Sequence, residues 1–227
     1  MTTTVAAAAS AVVAHISGRS FVVTTGSGGS PYTSGSSTTA AVLELAGKWR
    51  PVKSAAELLS FATGAPLATY TGTLLADTAI PVWHDARKEL PWLFGASAAA
   101  SAGAATTMLL PPGEAGPARR LAVAGVAAEL GLMEAMERRL GFVGEVYKQD
   151  AAGKLARASK ALTAAGGALL ATRGRRSRSA AVAGGALVLA GELALRWSVF
   201  RAGFQSARDP RYTVIPQKQR KEREQSK

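Results

Sequence analysis

The chain has 227 residues, 48% hydrophobic, 6% aromatic and 19% charged, and its 27 Lys and Arg against 15 Asp and Glu give a net charge of +12. There is no cysteine and only two histidines, His15 and His84. Disulfides, thiol catalysis and thiolate-held zinc or iron–sulfur centres are thereby excluded, and with His15 and His84 alone a haem held by two histidines inside a bundle is not expected.

Residues 1–40 form a first piece. Met1 to Ala14 is rich in Ala, Thr and Val, but its uncharged stretch falls short of the ~20 residues that span a bilayer, and no basic start of a signal peptide precedes it. The run Thr24 to Thr39, TTGSGGSPYTSGSSTT, has almost nothing apolar to bury and reads as a linker. Gly26 to Gly29 within it lacks the context of a dinucleotide-binding loop. The expectation for 1–40 is a low-complexity segment without a packed core, either a disordered tail or a start that is out of frame.

Residues 41–205 change character. After a basic collar of Lys48, Arg50 and Lys53, no charge occurs between Glu57 and Asp77, nor between Glu89 and Glu114. These runs hold 19 and 24 residues, long enough for membrane-spanning helices at 1.5 Å per residue. Three weaker segments follow, near 118–137, 155–172 and 179–203, bounded by Arg119-Arg120, Arg138-Arg139 and the Arg173–Arg178 cluster. Pro111-Pro112-Gly113 and Gly116-Pro117 punctuate the chain where a loop is required. The predicted fold is all-α: a multi-pass transmembrane bundle of about five helices, centred near residues 67, 101, 128, 164 and 191.

Ala, Gly, Ser and Thr dominate these segments, which lets helices in lipid approach closely. The segment from Leu90 to Gly113 has no charged stripe of the kind a water-facing helix carries. Charges do occur inside the weaker segments: Glu129 and Glu134 in the third, Glu192 and Arg196 in the fifth. Because an ionised group in the membrane is costly, Glu129, Glu192 and Arg196 are expected to face other helices. Glu192 and Arg196, four apart, share a helix face and can neutralise each other. The remaining piece, 206–227, ends in KQRKEREQSK and is expected to be a basic mobile tail. The Arg173–Arg178 cluster lies between two apolar segments without interleaved aromatics, a pattern that fits lipid headgroups and not nucleic acid.

The stretch from Tyr70 to Gly103 is the most informative. It carries Tyr70-Thr71-Gly72 with Leu74-Leu75, then Pro81 and Trp83, then Leu90-Pro91 with Leu93-Phe94, Ser97 and Gly103. In that order and spacing these elements resemble the NrfD/polysulfide-reductase membrane-subunit family, and Ala124 to Gly141 and Arg208 to Gln217 resemble its actinobacterial branch. The resemblance covers about residues 40–220 and only the C-terminal part of the family, so the chain is expected to be truncated.

The resemblance implies an integral cell-membrane subunit of a quinone-linked oxidoreductase complex, itself without a catalytic site. It implies an iron–sulfur partner, a molybdopterin-type catalytic subunit, and quinone as an exchangeable ligand, with no metal or covalent cofactor on this chain. The alternatives are a non-redox helical membrane scaffold and a soluble Ala-rich helical protein. Tyr70 matches the family's YTG element, with a quinone-lining role or an interhelical hydrogen bond as its two readings. Asp77, two helical turns on, is a proton relay or a cap of the following turn. His84 is a surface residue or a further relay. Glu129 is a buried proton relay or an interhelical hydrogen-bonding group.

Overall fold

The computed structural model describes residues 10–16, 19–25, 63–64 and 66–225. Strands β1 (Ser10–Ile16) and β2 (Arg19–Thr25) pair antiparallel, running from Ser10 opposite Thr25 to Ile16 opposite Arg19. This local hairpin falls in the segment expected to have no packed core. Its Val- and Thr-rich sequence favours extended backbone. Most of the Gly/Ser/Thr run, the collar Lys48–Lys53 and the first part of the first expected span lie outside the described residues.

From residue 63 onward every regular element described is helical. In order they are α1 (residues 66–76), α2 (Pro81–Asp85), α3 (Leu90–Leu109), α4 (Gly116–Leu140), a 3-10 segment (Val143–Lys148), α5 (Asp150–Thr172), α6 (Arg178–Arg208) and α7 (Arg211–Gln225). The centres of α3 to α6 fall within about three residues of those expected from the charge pattern.

The punctuation seen in the sequence sets the ends. Pro91 opens α3 in its first turn, where a missing N–H costs nothing, and Pro111 follows its end. Pro117 does the same for α4, which stops at Gly141 with φ +51°, a conformation favouring glycine. Ser177 caps α6 by accepting from the Ala180 N–H at 3.3 Å.

Helices α3, α4, α5 and α6 form an up-and-down ring, each packed on its sequence neighbour and α6 closing on α3. Small residues make the contacts. A side-chain carbon placed on Gly125 of α4 would lie 2.5 Å from the Ala100 nitrogen of α3, and one on Gly166 of α5 would lie 2.7 Å from the Gly184 oxygen of α6. Backbones come this close only where the side chain is a hydrogen atom. At one end the Arg178 guanidinium donates to the Leu110 carbonyl at 2.6 Å, and at the other Arg139 pairs with Glu89.

Of the five expected spans, one helix among the described residues, α6, is long and apolar enough to cross a membrane, and 39% of its most apolar stretch is buried in the bundle. In α3, Ala, Gly, Ser and Thr dilute the hydropathy, while α4 and α5 carry charge toward their ends. Trp83 is a core residue at 4% exposure whose indole N–H donates to the Val199 carbonyl at 2.9 Å. One other expectation changes. The tail after Arg208 is helical through Gln225. Its first turn is held by the Asp209 carboxylate, which accepts from the Arg211 N–H at 3.0 Å, and by Tyr212 stacking on Phe142 at 5.3 Å.

Candidate functional site: a buried carboxyl pair

The core is not continuous along the bundle. Toward one end, large side chains including Leu93, Met133, Leu195 and Tyr147 pack together; toward the other, a small-residue cluster holds Ala100, Val126, Leu170 and Val188. On each helix a polar residue falls between the two clusters in sequence. Ser97 follows Phe94 and precedes Ala100 on α3, and Glu129 lies between Val126 and Met133 on α4. Ser159 and Thr163 lie between Ala156 and Leu170 on α5, and Glu192 lies between Val188 and Leu195 on α6. All five are buried, with Glu129 at 1% and Glu192 at 2% exposure. Four helices thus contribute one polar layer between the two apolar clusters.

Within that layer the Ser97 hydroxyl donates to Glu192 Oε2 at 2.5 Å. Glu129 and Glu192 are close enough to act on each other directly, with the Arg196 guanidinium as the nearest cation acting on both. No atom pair between the two carboxyl groups meets hydrogen-bond geometry, and both oxygens of Glu129 and Oε1 of Glu192 have no partner among the described residues. The hydroxyls of Ser159 and Thr163 are likewise unpartnered, and Thr163 abuts Gly191, the residue before Glu192. Buried polar atoms are almost always hydrogen-bonded, so this concentration of unpaired oxygen in one layer sets it apart from an ordinary core. A carboxyl pair in such a place is chemically able to hold and exchange a proton.

The expected pairing of Glu192 with Arg196 is one of charge at a distance and not a contact. No salt bridge joins them among the described residues; Glu192 turns to Ser97 on α3, and Arg196 extends over the Phe94 ring, 5.9 Å from its centroid. Glu134 is on the opposite side of α4 from Glu129, exposed and paired with Arg138 at 2.9 Å and Lys160 at 3.5 Å. Lys160 also reaches Glu137 at 2.9 Å.

Of the four sequence-derived candidates, Glu129 alone enters the buried layer. Tyr70 is 54% exposed on α1, and Asp77 and His84 are exposed as well. The structure therefore does not bring Tyr70, Asp77 and His84 into an enclosed site with Glu129. A quinone headgroup needs a donor in a sheltered pocket. The described residues around Tyr70 do not supply that shelter, so no quinone-binding role is assigned to Tyr70. Glu192 and Ser97 were not singled out as site residues from the sequence. The signal for Glu192 was present, since it stands alone in an uncharged run from Ser179 to Leu195. Comparison of the chain with protein-family models, curated proteins and solved structures yields no match.

Proposed function

We propose that the chain is a multi-pass membrane subunit of a quinone-linked oxidoreductase complex, and that its own contribution is to anchor partners and hold a proton at the Glu129–Glu192 pair. The observation that carries this reading is the buried polar layer inside a bundle whose outer belt lacks charge. Across α3 90–109, α4 121–133, α5 161–172 and α6 179–195, Glu129 and Glu192 are the sole ionisable groups, and both face inward. The shortest of these stretches rises about 18 Å and the longest about 30 Å. The shorter ones reach the bilayer thickness with the help of long side chains such as Lys160 at their edge. Outside, Trp92, Leu109, Leu193 and Trp197 are exposed, as suits a lipid-facing surface with interfacial tryptophans.

Charge balance gives the pair its chemistry. Two carboxylates with one neighbouring guanidinium leave one negative charge in a dry interior, and one proton shared between Glu129 and Glu192 removes it. Ser97 orients Glu192 Oε2, which leaves Oε1 as the oxygen free to exchange that proton with Glu129. Quinone reduction consumes protons, and a buried carboxyl pair is a suitable reservoir. The quinone link and the iron–sulfur and molybdopterin-type partners rest on the family resemblance of Tyr70 to Gly103. The exposure of Tyr70 supports the second reading, a non-redox helical scaffold with the same packing.

The test uses the membrane complex isolated through a tag on the full chain. Glu129→Gln and Glu192→Gln are expected to slow quinone turnover at least tenfold, a typical effect of losing a positioned proton carrier, while the partner's reaction with artificial electron carriers is unchanged. Infrared difference spectra of the chain alone should also show a buried carboxyl band that both substitutions remove. Wild-type quinone kinetics in both variants would leave the scaffold reading; extraction of the chain by carbonate without detergent would remove the membrane reading.

A further inference from the structure

Away from the carboxyl layer, the last three turns of α6 form one wall of a groove of about 690 Å³, whose other side comes from the start of α5 and the start of α7. A volume of this size suits a small-molecule-sized group. The wall has two chemistries. Trp197, Phe200 and Phe204 form a continuous aromatic surface, with ring centroids 6.1 Å apart for the first pair and 4.8 Å for the second. All three are large apolar side chains left exposed. Beside them stand Arg201 and Arg208, also exposed and seven residues apart, which puts them on one face about 10 Å apart along the axis.

The acidic groups of the groove are already engaged. Asp150 accepts from the Gln205 amide at 3.0 Å, and Asp209 is paired with Arg211 at 2.8 Å. Arg201 and Arg208 have no ion pair or hydrogen bond among the described residues. Two guanidiniums without counterions therefore flank an aromatic strip, at the end of the most apolar helix of the chain. Guanidinium binds phosphate oxygens through its fork of N–H donors, and aromatic rings at this depth meet glycerol and the first methylenes of a lipid.

We propose that this groove binds an anionic phospholipid, its phosphodiester held between Arg201 and Arg208 and its glycerol and upper acyl chain lying on Trp197, Phe200 and Phe204. The charge complementarity selects against zwitterionic lipids, whose choline would face the same two cations. The inference rests on the membrane reading, but it is independent of the quinone and proton readings.

The full chain is reconstituted in phosphatidylcholine vesicles that contain a minor fraction of brominated phosphatidylglycerol, or the same fraction of brominated phosphatidylcholine, and tryptophan quenching is followed. The expected result is stronger quenching by brominated phosphatidylglycerol, with the excess removed by Trp197→Phe. The apparent affinity should fall about fivefold for each guanidinium lost, hence about twenty- to thirtyfold in Arg201→Gln/Arg208→Gln, and fall less in Arg201→Lys/Arg208→Lys, which keeps the charge but not the fork. Equal quenching by the two lipids, or an excess that survives the Gln pair, overturns the proposal. So does binding of free glycerol phosphate as tight as that of the lipid, or protection of Trp197 from both lipids, which would mean that a protein segment fills the groove. Trp92, exposed on α3, separates the two levels of failure. If Trp92 is quenched and Trp197 shows no excess, only the lipid site falls; if neither lipid quenches Trp92, the membrane reading falls with it.

Discussion

Gly125 and Gly131 sit on the same helix and differ in what lies beyond them. A side-chain carbon on Gly125 would be 2.5 Å from the Ala100 nitrogen, 2.9 Å from its α-carbon and 3.0 Å from the Ala96 oxygen, whereas one on Gly131 would meet nothing within 4 Å. Ordinary contact begins near 3.4 Å, so Gly125→Ala is too close to α3 by about 0.9 Å, and the atoms in the way are backbone and cannot rotate aside. Overpacking of this kind costs about 1–3 kcal/mol, offset by about 0.5–1 kcal/mol from replacing a helical glycine. The net expectation is a loss of about 0.5–2 kcal/mol for Gly125→Ala and a gain of about 0.5–1 kcal/mol for Gly131→Ala. At 2–4 °C per kcal/mol for a chain of this size, the two Tm values should separate by about 2–12 °C. Thermal unfolding followed by circular dichroism in one detergent measures both. A Gly125→Ala variant as stable as Gly131→Ala would refute the close approach of α3 and α4, and with it the register that brings Glu129 level with Ser97.

Two further outcomes follow from the packing and the electrostatics. Trp83→Phe removes the hydrogen bond to Val199 and leaves space against Gly203, so it should cost about 1–3 kcal/mol in the same unfolding assay; an unchanged Tm would mean that Trp83 is not anchored in the core. The Arg211 guanidinium holds the Asp209 carboxyl below its usual range. A depressed carboxyl stabilises the start of α7 at pH above the ordinary Asp value of about 3.9, and the effect is lost as pH falls through the lower, folded value. An NMR titration should find Asp209 titrating below that ordinary value and moving toward it in Arg211→Gln, which keeps the bond from the backbone N–H of residue 211; a normal value in the parent chain would contradict the pairing.

Helix positions were legible because charge marks helix ends. The gaps between Glu89 and Glu114 and between the Arg clusters place the ends of α3 to α6 within about five residues. What the same pattern does not carry is which side of a helix faces inward. Tyr70 and Asp77 share a face of α1 by spacing, yet spacing is silent on whether that face meets the bundle, and both are exposed. Glu129 was legible because one carboxylate amid Ala, Val and Leu has few favourable places but the interior. Glu192 was misjudged by a rule of local sequence: an i,i+4 cation is the obvious partner on an isolated helix, but in a bundle Ser97 on another helix competes for it. Helix α7 escaped detection because its charged end dominates the composition, while its start is fixed by Asp209 and by Tyr212 stacked on Phe142.

Close glycine contacts hold each helical hairpin and also join the two: Gly103 and Gly125 bring α3 against α4, Gly166, Gly184 and Gly191 bring α5 against α6, and Gly167 against Val126 and Gly185 against Met108 bring the hairpins together. The carboxyl pair does not belong to either hairpin. Glu129 comes with the first and Glu192 with the second, and Ser97, on the first, reaches across to bond the second. Each half carries one carboxyl group, and the two groups meet only when the halves dock in one register. A sliding or rotated docking would leave both against apolar side chains, so the pair also proofreads the pairing of the two halves.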